Sequence, residues 1–335
     1  MGKMEDTMER SGCFFRLLSR SLAATLFAML LASHAQGATY PVKAITLICP
    51  FPPGGTMDAI ARNLAEGSRK HLPKTVAVVN RAGGAGTIGL AEALQARPDG
   101  YTIAISGPGP VTTQPHITDL PYKGPEDMAP VIGLAGVPMV LGVQANAPYK
   151  TMKEFLDSAR ANPGKLRIAT SAIATPPNMA AQRLAAVTKT NIVIAPFTGG
   201  GEPVAALLGG HVEATLETTV TLQPYVQAGK VRLLATYEAK RTPSAPDVAT
   251  LKEQGIDVVA TIYYFIVAPK GTPDAIVATL HDAFSHAMRE DLFVKFAANT
   301  GMELLFLSGK DLLERLKADF ETDGKTVEQF GLRKK

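Results

Sequence analysis

An α/β fold in two lobes is what the sequence predicts, and three features predict it. Short apolar runs alternate with segments of helical periodicity, the pattern of a mostly parallel sheet flanked by helices. The alternation comes in two series of the same kind, and two extended apolar crossings, near 134–143 and 260–268, join them. A chain of 335 residues also has room for two cores at about 150 residues per domain.

The first 38 or so residues precede the fold. Arg10, Arg16 and Arg20 come before the apolar run from Leu22 to Leu31, and small residues follow through Ala32, Ser33, Ala35 and Gly37. That order is a secretory signal peptide. Its apolar run is too short for a permanent membrane anchor, and Cys13 lies ahead of that run, where a lipoprotein cysteine would follow it. Glu5, Asp6 and Glu9 make the leader unusually acidic, which suits a true start at Met4 or Met8.

The first series then reads as strand Ile45–Cys49, helix near Met57–His71, strand Val76–Val79, helix near Ile88–Ala96 and strand Thr102–Ser106. Pro98-Asp99-Gly100 forms the turn into the third strand. After the apolar stretch Val131–Val143 comes helix Met152–Arg160, stopped at Asn162-Pro163-Gly164. Strand Leu166–Ala169, helix Asn178–Val187, strand Ile192–Ala195, helix Pro203–Leu208 and strand Val212–Leu216 complete the second series. Val231–Ala235 is followed by a polar stretch at Glu238–Ala249, the apolar run Ile262–Ala268, and two C-terminal helices near Pro273–Met288 and Lys310–Val327. No short tandem period is present, which excludes a solenoid.

Composition narrows the function classes. Without its leader the chain loses four basic and three acidic residues, so the net charge of +4 becomes about +3, a balance that favours neither nucleic acid nor a membrane surface. No segment after the leader is apolar enough to cross a membrane. Cys49 alone remains, so no intrachain disulfide forms, and its apolar strand makes it a buried small side chain rather than a reactive thiol.

The most informative stretch is Pro50-Phe51-Pro52-Pro53-Gly54-Gly55-Thr56-Met57-Asp58. A buried strand turning through two glycines into a helix start presents unpaired N–H groups and the positive end of a helix dipole, a place suited to phosphate or carboxylate. The bland alternative is a tight turn. Gly55 with its neighbour offers N–H groups to an anion, and Thr56 a hydroxyl. Asp58 either binds early helix N–H groups or takes a proton from an amine or water. Phe51 either packs in the core or covers a ligand's carbon skeleton. No nucleophile with a base beside it is present, so the loop is built to hold rather than to react.

Other candidates carry less. Gly84-Ala85-Gly86-Thr87-Ile88-Gly89 fits G-x-G-x-x-G, but it is not in the first βα unit and stands off from its strand. We read these glycines as close backbone packing, with Asn80-Arg81 bracing the loop, and expect no cofactor. His281 and His286, five apart, fall on different helix faces, so no metal site is expected. Ser106 lacks a nucleophile-elbow context and is a lining residue at most. Tyr263, Tyr264 and Phe265 form an aromatic patch at the second crossing, in a core or hinge role ahead of ligand stacking.

Taken together, the markers resemble the extracytoplasmic solute-binding receptors of tripartite tricarboxylate transporters, the Bug receptors. They run in register from Tyr40-Pro41-Val42-Lys43 through the loop ending at Asp58, Asn80-Arg81-Ala82-Gly83-Gly84-Ala85-Gly86 and Pro98-Asp99-Gly100-Tyr101-Thr102. Asn162-Pro163-Gly164-Lys165-Leu166, Gly199-Gly200 and Leu207-Leu208-Gly209-Gly210-His211-Val212-Glu213 follow. Ala228-Gly229-Lys230-Val231-Arg232 and Ala268-Pro269-Lys270-Gly271-Thr272-Pro273 complete the set.

The resemblance implies a two-lobed, type II-like periplasmic binding fold, with lobe 1 over 39–136 and 262–335 and lobe 2 over 137–261. It implies a receptor that closes over a small organic carboxylate and delivers it to membrane permease subunits: periplasmic, monomeric, without cofactor, metal or nucleic acid, and not an enzyme. The carboxylate would be held by two opposed strand-to-helix loops through their amide hydrogens and ordered waters. The first loop brings Phe51, Pro53, Gly54, Gly55, Thr56 and Asp58. The second brings Ser171, Ala172, Ile173, Thr175 and Asn178, and a third region brings Phe197, Thr198 and Gly199. Ser106 and Glu217 complete the expected lining.

Two departures stand out. Many relatives carry Gly-Asn-Gly-Thr-Ser-Ser-His where this chain has Ala172-Ile173-Ala174-Thr175-Pro176-Pro177-Asn178, and Glu217-Thr218 replaces a common Asp-Asn pair. The less polar, stiffer second loop predicts a ligand whose far end is apolar or aromatic. An alternative reading is a ligand-sensing adaptor for a membrane sensor kinase, which genomic neighbours would separate from a transporter receptor. A secreted hydrolase is a further one, for which the sequence offers no nucleophile–base pair.

Overall fold

The computed structural model describes residues 40–199, 201–329 and 331. The expected leader, with Cys13 and the alternative starts, and Gly200 of the third contact region lie outside the described residues. The described residues divide at Val42, and those from Lys43 onward form one compact unit. That unit holds the whole β-sheet, whose first strand begins at Ile45.

Strand β1 (Ile45–Cys49) is buried at Ile45, Leu47, Ile48 and Cys49, hence on both faces, as a near-continuous apolar run inside a parallel sheet requires. It pairs in parallel with β2 (Val76–Asn80) and β3 (Thr102–Ser106), and the crossovers are helices α1 (Thr56–Gly67) and α2 (Thr87–Leu94). α1 forms where Met57, Ile60, Ala61, Leu64 and Ala65 recur at helical spacing, and all five are buried. It stops at Gly67, short of the expected His71, with a tight turn over Ser68–Lys70 instead. Gly67 faces helix α7 (Asp274–Ala287), where an added Cβ would stand 3.1 Å from the Ala287 carbonyl oxygen.

Strand β4 (Met128–Gln144), 17 residues long and buried over nearly all of its length, joins the two halves of the sheet. Over 128–138 it pairs antiparallel with β9 (Thr261–Pro269), and β10 (Glu303–Ser308) pairs with it at 132–136. Over its remaining residues it pairs antiparallel with β7 (Ala214–Thr218) and β8 (Val231–Thr236), the change falling between Pro138 and Met139. Pro130 lies in a stretch of shifted register, as a residue without an N–H must in an interior strand.

Beyond β7, strands β5 (Arg167–Thr170) and β6 (Val193–Pro196) continue in parallel. The order is β2-β1-β3-β9-β4-β7-β5-β6, with β8 and β10 also on β4. Parallel pairing is therefore confined to two outer groups, and the two crossings, β4 and β9, run antiparallel between them.

Helices α3 (Met152–Ala161), α4 (Pro176–Thr188), α5 (Glu202–Leu208) and α6 (Thr219–Gln227) serve the second group. α3 starts at a reciprocal cap: Thr151 accepts from the Glu154 N–H while the Glu154 carboxylate accepts from the Lys150 N–H. Helices α7, α8 (Asp291–Thr300) and α9 (Gly309–Gln329) close the chain. One apolar cluster joins Ile48, Ala104, Phe265 and Leu316, and another joins Val140, Ala169, Leu207 and Leu222. No helix among the described residues is long and apolar enough to cross a membrane.

Candidate functional site

Four strands of the two parallel groups end around one cavity of about 60 Å³, room for roughly four to six water-sized groups at about 10–15 Å³ each. Past β1 come Phe51, Pro52 and the start of α1 from Gly55 to Asp58; past β3, Gly107 to Pro110; past β5, Ser171, Thr175, Pro176 and Pro177. The end of β7 supplies Glu217 and Thr218, and Gly199, Ile262 and Tyr264 complete the wall. The carboxyl ends of parallel strands are where open α/β sheets hold ligands.

The bend after β1 is fastened by a polar network. Gly54, at φ +85°, donates its N–H to Asp58 Oδ2 at 3.1 Å, and Arg62 Nε donates to the same oxygen at 3.0 Å. Asn80 Nδ2 donates to Asp58 Oδ1 at 2.9 Å and to the Phe51 carbonyl at 3.0 Å. Burial, the largest influence on the Asp58 carboxyl, raises its pKa; the Arg62, Asn80 and Gly54 donors together outweigh it and hold the group below its ordinary value. Of the two roles open to Asp58, the geometry shows the backbone one, at Gly54 just ahead of the helix. Asn80 does brace the loop.

The first intrahelical bond of α1 runs from the Ala59 N–H to the Gly55 carbonyl at 3.0 Å. The amides of Gly55, Thr56 and Met57 thus precede the helix ladder, at the positive end of its dipole and in the cavity wall. The Thr56 hydroxyl is engaged: it hydrogen-bonds Thr218 Oγ1 and, at 2.8 Å, Thr221 Oγ1, and the Tyr264 hydroxyl reaches it as well. Thr56 therefore ties α1 to the β7–α6 bend instead of facing a ligand freely. Phe51 lines the cavity and packs on two glycines: a Cβ at Gly86 would lie 2.9 Å from its ring, and one at Gly199 3.0 Å.

The bend after β5 is different. Helix α4 opens with Pro176 and Pro177, neither of which has an N–H, so this bend lacks the first two amides that the expected two-sided grip would use. It contributes hydroxyls: Ser171 Oγ and Thr175 Oγ1 share a hydrogen bond at 2.8 Å, and Thr175 also donates to the Ala172 carbonyl at 2.6 Å. The wall contains no lysine, arginine or histidine among the described residues; its acids are Asp58 and Glu217. Glu217 is buried and its Oε1 has no hydrogen-bond partner among the described residues. Burial pushes its pKa up to about 8, opposed by the hydrogen bond from the Thr218 backbone.

The model of the family described as tripartite tricarboxylate transporter family receptor matches residues 60–332. The chain belongs to that family. It is 34% identical over 327 residues to a protein encoded in the gbd 5′ region of Cupriavidus necator, covering 98% of this chain and 99% of the relative. The solved structure of the periplasmic binding protein BugD superposes with a TM-score of 0.84 at 27% identity, covering 88% of this chain and all of that one. MatC from Rhodopseudomonas palustris, with bound malate, superposes with a TM-score of 0.81 at 25% identity, covering 86% and 100%. The fold is the two-lobed periplasmic binding protein fold, and these structural neighbours of the receptor are solute-binding proteins.

Within this receptor fold, Phe51, Gly55, Thr56, Asp58, Ser171, Thr175, Gly199 and Glu217 lie in the cavity wall as expected. The remaining expected residues lie outside it. Pro53 and Gly54 are exposed. Ser106 is fully buried, its hydroxyl donating to the Gly107 carbonyl at 3.1 Å. Asn178 is part of the scaffold, accepting from the Ala174 N–H and donating to Thr170 Oγ1. Ala172, Ile173, Phe197 and Thr198 face a separate groove of about 740 Å³, with Ala85 and Gln114 opposite.

The reading from sequence did not name Pro52, Met57, Gly107 to Pro110, Pro176, Pro177, Thr218, Ile262 or Tyr264 as wall residues. The prolines were visible as a run; Tyr264 was visible as part of an aromatic patch. The cofactor-like glycine run is a packing device: a Cβ at Gly89 would stand 2.5 Å from the Arg81 carbonyl oxygen. His281 pairs with Asp282 and His286 stacks on His71, and no group of three or more metal-ligating side chains occurs among the described residues.

Proposed function

We propose that this chain is an exported, monomeric receptor that closes two lobes over a small organic carboxylate with an apolar body and passes it to the permease subunits of a tripartite transporter. The observation that carries the reading is the cavity in which the free amides at the start of α1 face walls supplied by both parallel groups, with Thr56 hydrogen-bonded across to Thr218 and Thr221. Lobe closure is the ordinary way for such receptors to sequester a ligand. In this reading lobe 1 spans 39–136 and 262–335, lobe 2 spans 137–261, and residues 1–38 are cleaved on export. The amides of Gly55, Thr56 and Met57 hold the acid group, some through water. Phe51, Pro52, Pro108, Pro110, Pro176, Pro177 and Ile262 cover its carbon skeleton, and their scarcity of polar atoms favours an apolar or aromatic body over a second or third carboxylate. The site holds and does not react.

The test is calorimetric titration with benzoate, phenylacetate, adipate, malate and citrate, beside mass spectrometry of whatever is released on gentle denaturation. The reading expects binding of one molecule per chain without turnover, the aromatic acids and adipate ahead of citrate. Preference for citrate would refute the apolar-body assignment, and failure of every carboxylate would refute the receptor reading itself.

A further inference from the structure

The Glu217 carboxyl is the one acid in the cavity wall without a cation beside it. Asp58, the other, is bonded to Arg62 at 2.9–3.0 Å and to Asn80. Glu217 sits at the end of β7, opposite Val140 of β4, and is only 6% exposed. Its Oε1 has no partner among the described residues. The titratable side chains that face the same cavity from neighbouring elements are Asp58 of α1 and Tyr264 of β9. The β4 residues around Val140 and the α6 residues Thr219 to Thr221 carry no charge.

An ionised Glu217 in such a wall would repel any bound carboxylate. At about 4 Å and an effective dielectric near 20, the repulsion amounts to roughly a thousandfold in affinity. A protonated Glu217 has the opposite effect, because its O–H becomes a donor and a carboxylate is its strongest acceptor. We propose, building on the carboxylate-receptor reading above, that neutral Glu217 donates its O–H to the ligand's carboxylate, so that the receptor selects a carboxylate without an attached cation and binds it only when this side chain carries its proton. The group's raised pKa, about 8 from burial, keeps that proton in place at neutral pH. It also disfavours amino acids and other zwitterions: their ammonium gains nothing from a neutral Glu217, and Asp58, the ionised acid of the wall, is already paired with Arg62. The carboxylate is thus met on one side by the α1 amides and on the other by an acid hydrogen, which replaces the amides that Pro176 and Pro177 remove.

The experiment is calorimetric titration of the tightest carboxylate from the panel above into the mature chain and its Glu217→Gln and Glu217→Leu variants, from pH 6 to pH 10. The wild type should bind with constant affinity up to about pH 7 and weaken towards tenfold per unit above about pH 8. Above that point, runs in buffers of different ionisation enthalpy should show close to one proton taken up per ligand. Glu217→Gln keeps a donor, so it should bind within about threefold of the wild type at pH 6 and lose the pH dependence. Glu217→Leu should bind 10-fold to 100-fold more weakly at pH 6.

A loss of 30-fold or more in Glu217→Gln at pH 6, wild-type affinity in Glu217→Leu, or no weakening and no proton uptake up to pH 9.5 would each overturn the proposal. The pH dependence of affinity and the proton uptake are measured on the wild type alone and do not depend on the variants folding. If no carboxylate binds at any pH, the receptor reading fails first; if one binds but pH and Glu217 make no difference, only the present proposal fails.

Discussion

Replacing Glu217 by glutamine should change the pH dependence of folding stability even with no ligand present. The folded-state pKa of Glu217 is raised from 4.5 to about 8. The folded protein therefore keeps a proton that the unfolded chain releases above pH 4.5. The penalty is absent below pH 4.5, grows as the pH rises, and is complete near pH 8. Each pH unit is worth about 1.4 kcal/mol, so the wild type should lose roughly 3 kcal/mol by pH 7 and roughly 5 kcal/mol by pH 8, relative to Glu217→Gln. The amide itself brings an N–H₂ group into a place with few acceptors, a cost of about 1–3 kcal/mol that does not vary with pH. The slope is therefore diagnostic and the offset is not. Urea unfolding of both proteins at pH 4.5, 6, 7 and 8.5, followed by circular dichroism, reads it directly. A stability difference that stays constant over that range would refute the buried neutral acid, and with it the donor role assigned above.

Three further outcomes follow from the geometry. Thr56→Val removes the hydroxyl bonded to Thr218 and Thr221 while keeping its shape; with about 1 kcal/mol per net hydrogen bond, affinity should fall roughly 5-fold to 30-fold by the same factor for every ligand, and a ligand-dependent factor in titration would show direct contact instead. Arg62→Ala removes a donor that lowers the Asp58 pKa; because a lowered carboxylate pKa stabilises above its unfolded value and is lost as pH falls through the folded one, the acid-unfolding midpoint should move to higher pH, and an unchanged midpoint would deny Asp58 its bracing role. The Cys49 thiol, fully buried and pushed up to about 12 by burial, should resist a disulfide reagent at pH 8 in a chain starting at residue 39, and give one equivalent only after denaturation.

How much of this was legible in the sequence depended on how local the signal was. The strands Ile45–Cys49 and Thr102–Ser106 and the helix after Thr56 announce themselves because apolar periodicity and glycine turns are local. Helix α6 did not: it follows Thr218 without a break, starts with three residues of which two are threonine and one valine, and contains Pro224. Helix α8 and strand β10 were also missed; α8 leaves Leu292 and Val294 exposed, so its apolar stripe is blurred, and β10 is only partly buried and carries a register shift against β4. In the site, Phe51, Gly55, Thr56 and Asp58 could be found because one contiguous loop holds them. Tyr264 and Ile262 could not, since they enter the wall from a strand that arrives more than 200 residues later in the sequence. Asn178 was placed in the lining by the resemblance, as part of the second loop, and Ser106 as a lining residue at most, yet both spend their hydrogen bonds inside the scaffold.

One departure of this chain, the proline pair that opens α4, bears on the acid at the end of β7, a position where relatives commonly carry an acid as well. Prolines at the first two positions of α4 cost that bend the first two amide donors of its helix, which weakens the hold on an anion from that side. An acid at Glu217 would make matters worse if it were charged, because the wall contains no cation to balance it. Only the neutral form resolves both at once: it supplies a donor where donors were lost and adds no charge where none can be balanced. The apolar residues that share its cavity, Pro176, Pro177 and Ile262 among them, are then not merely a cover for the ligand's carbon skeleton. They exclude water from the carboxyl, and that exclusion is what holds its proton in place. The loop that makes the cavity apolar is thus also the reason that its one uncompensated acid can act as a donor.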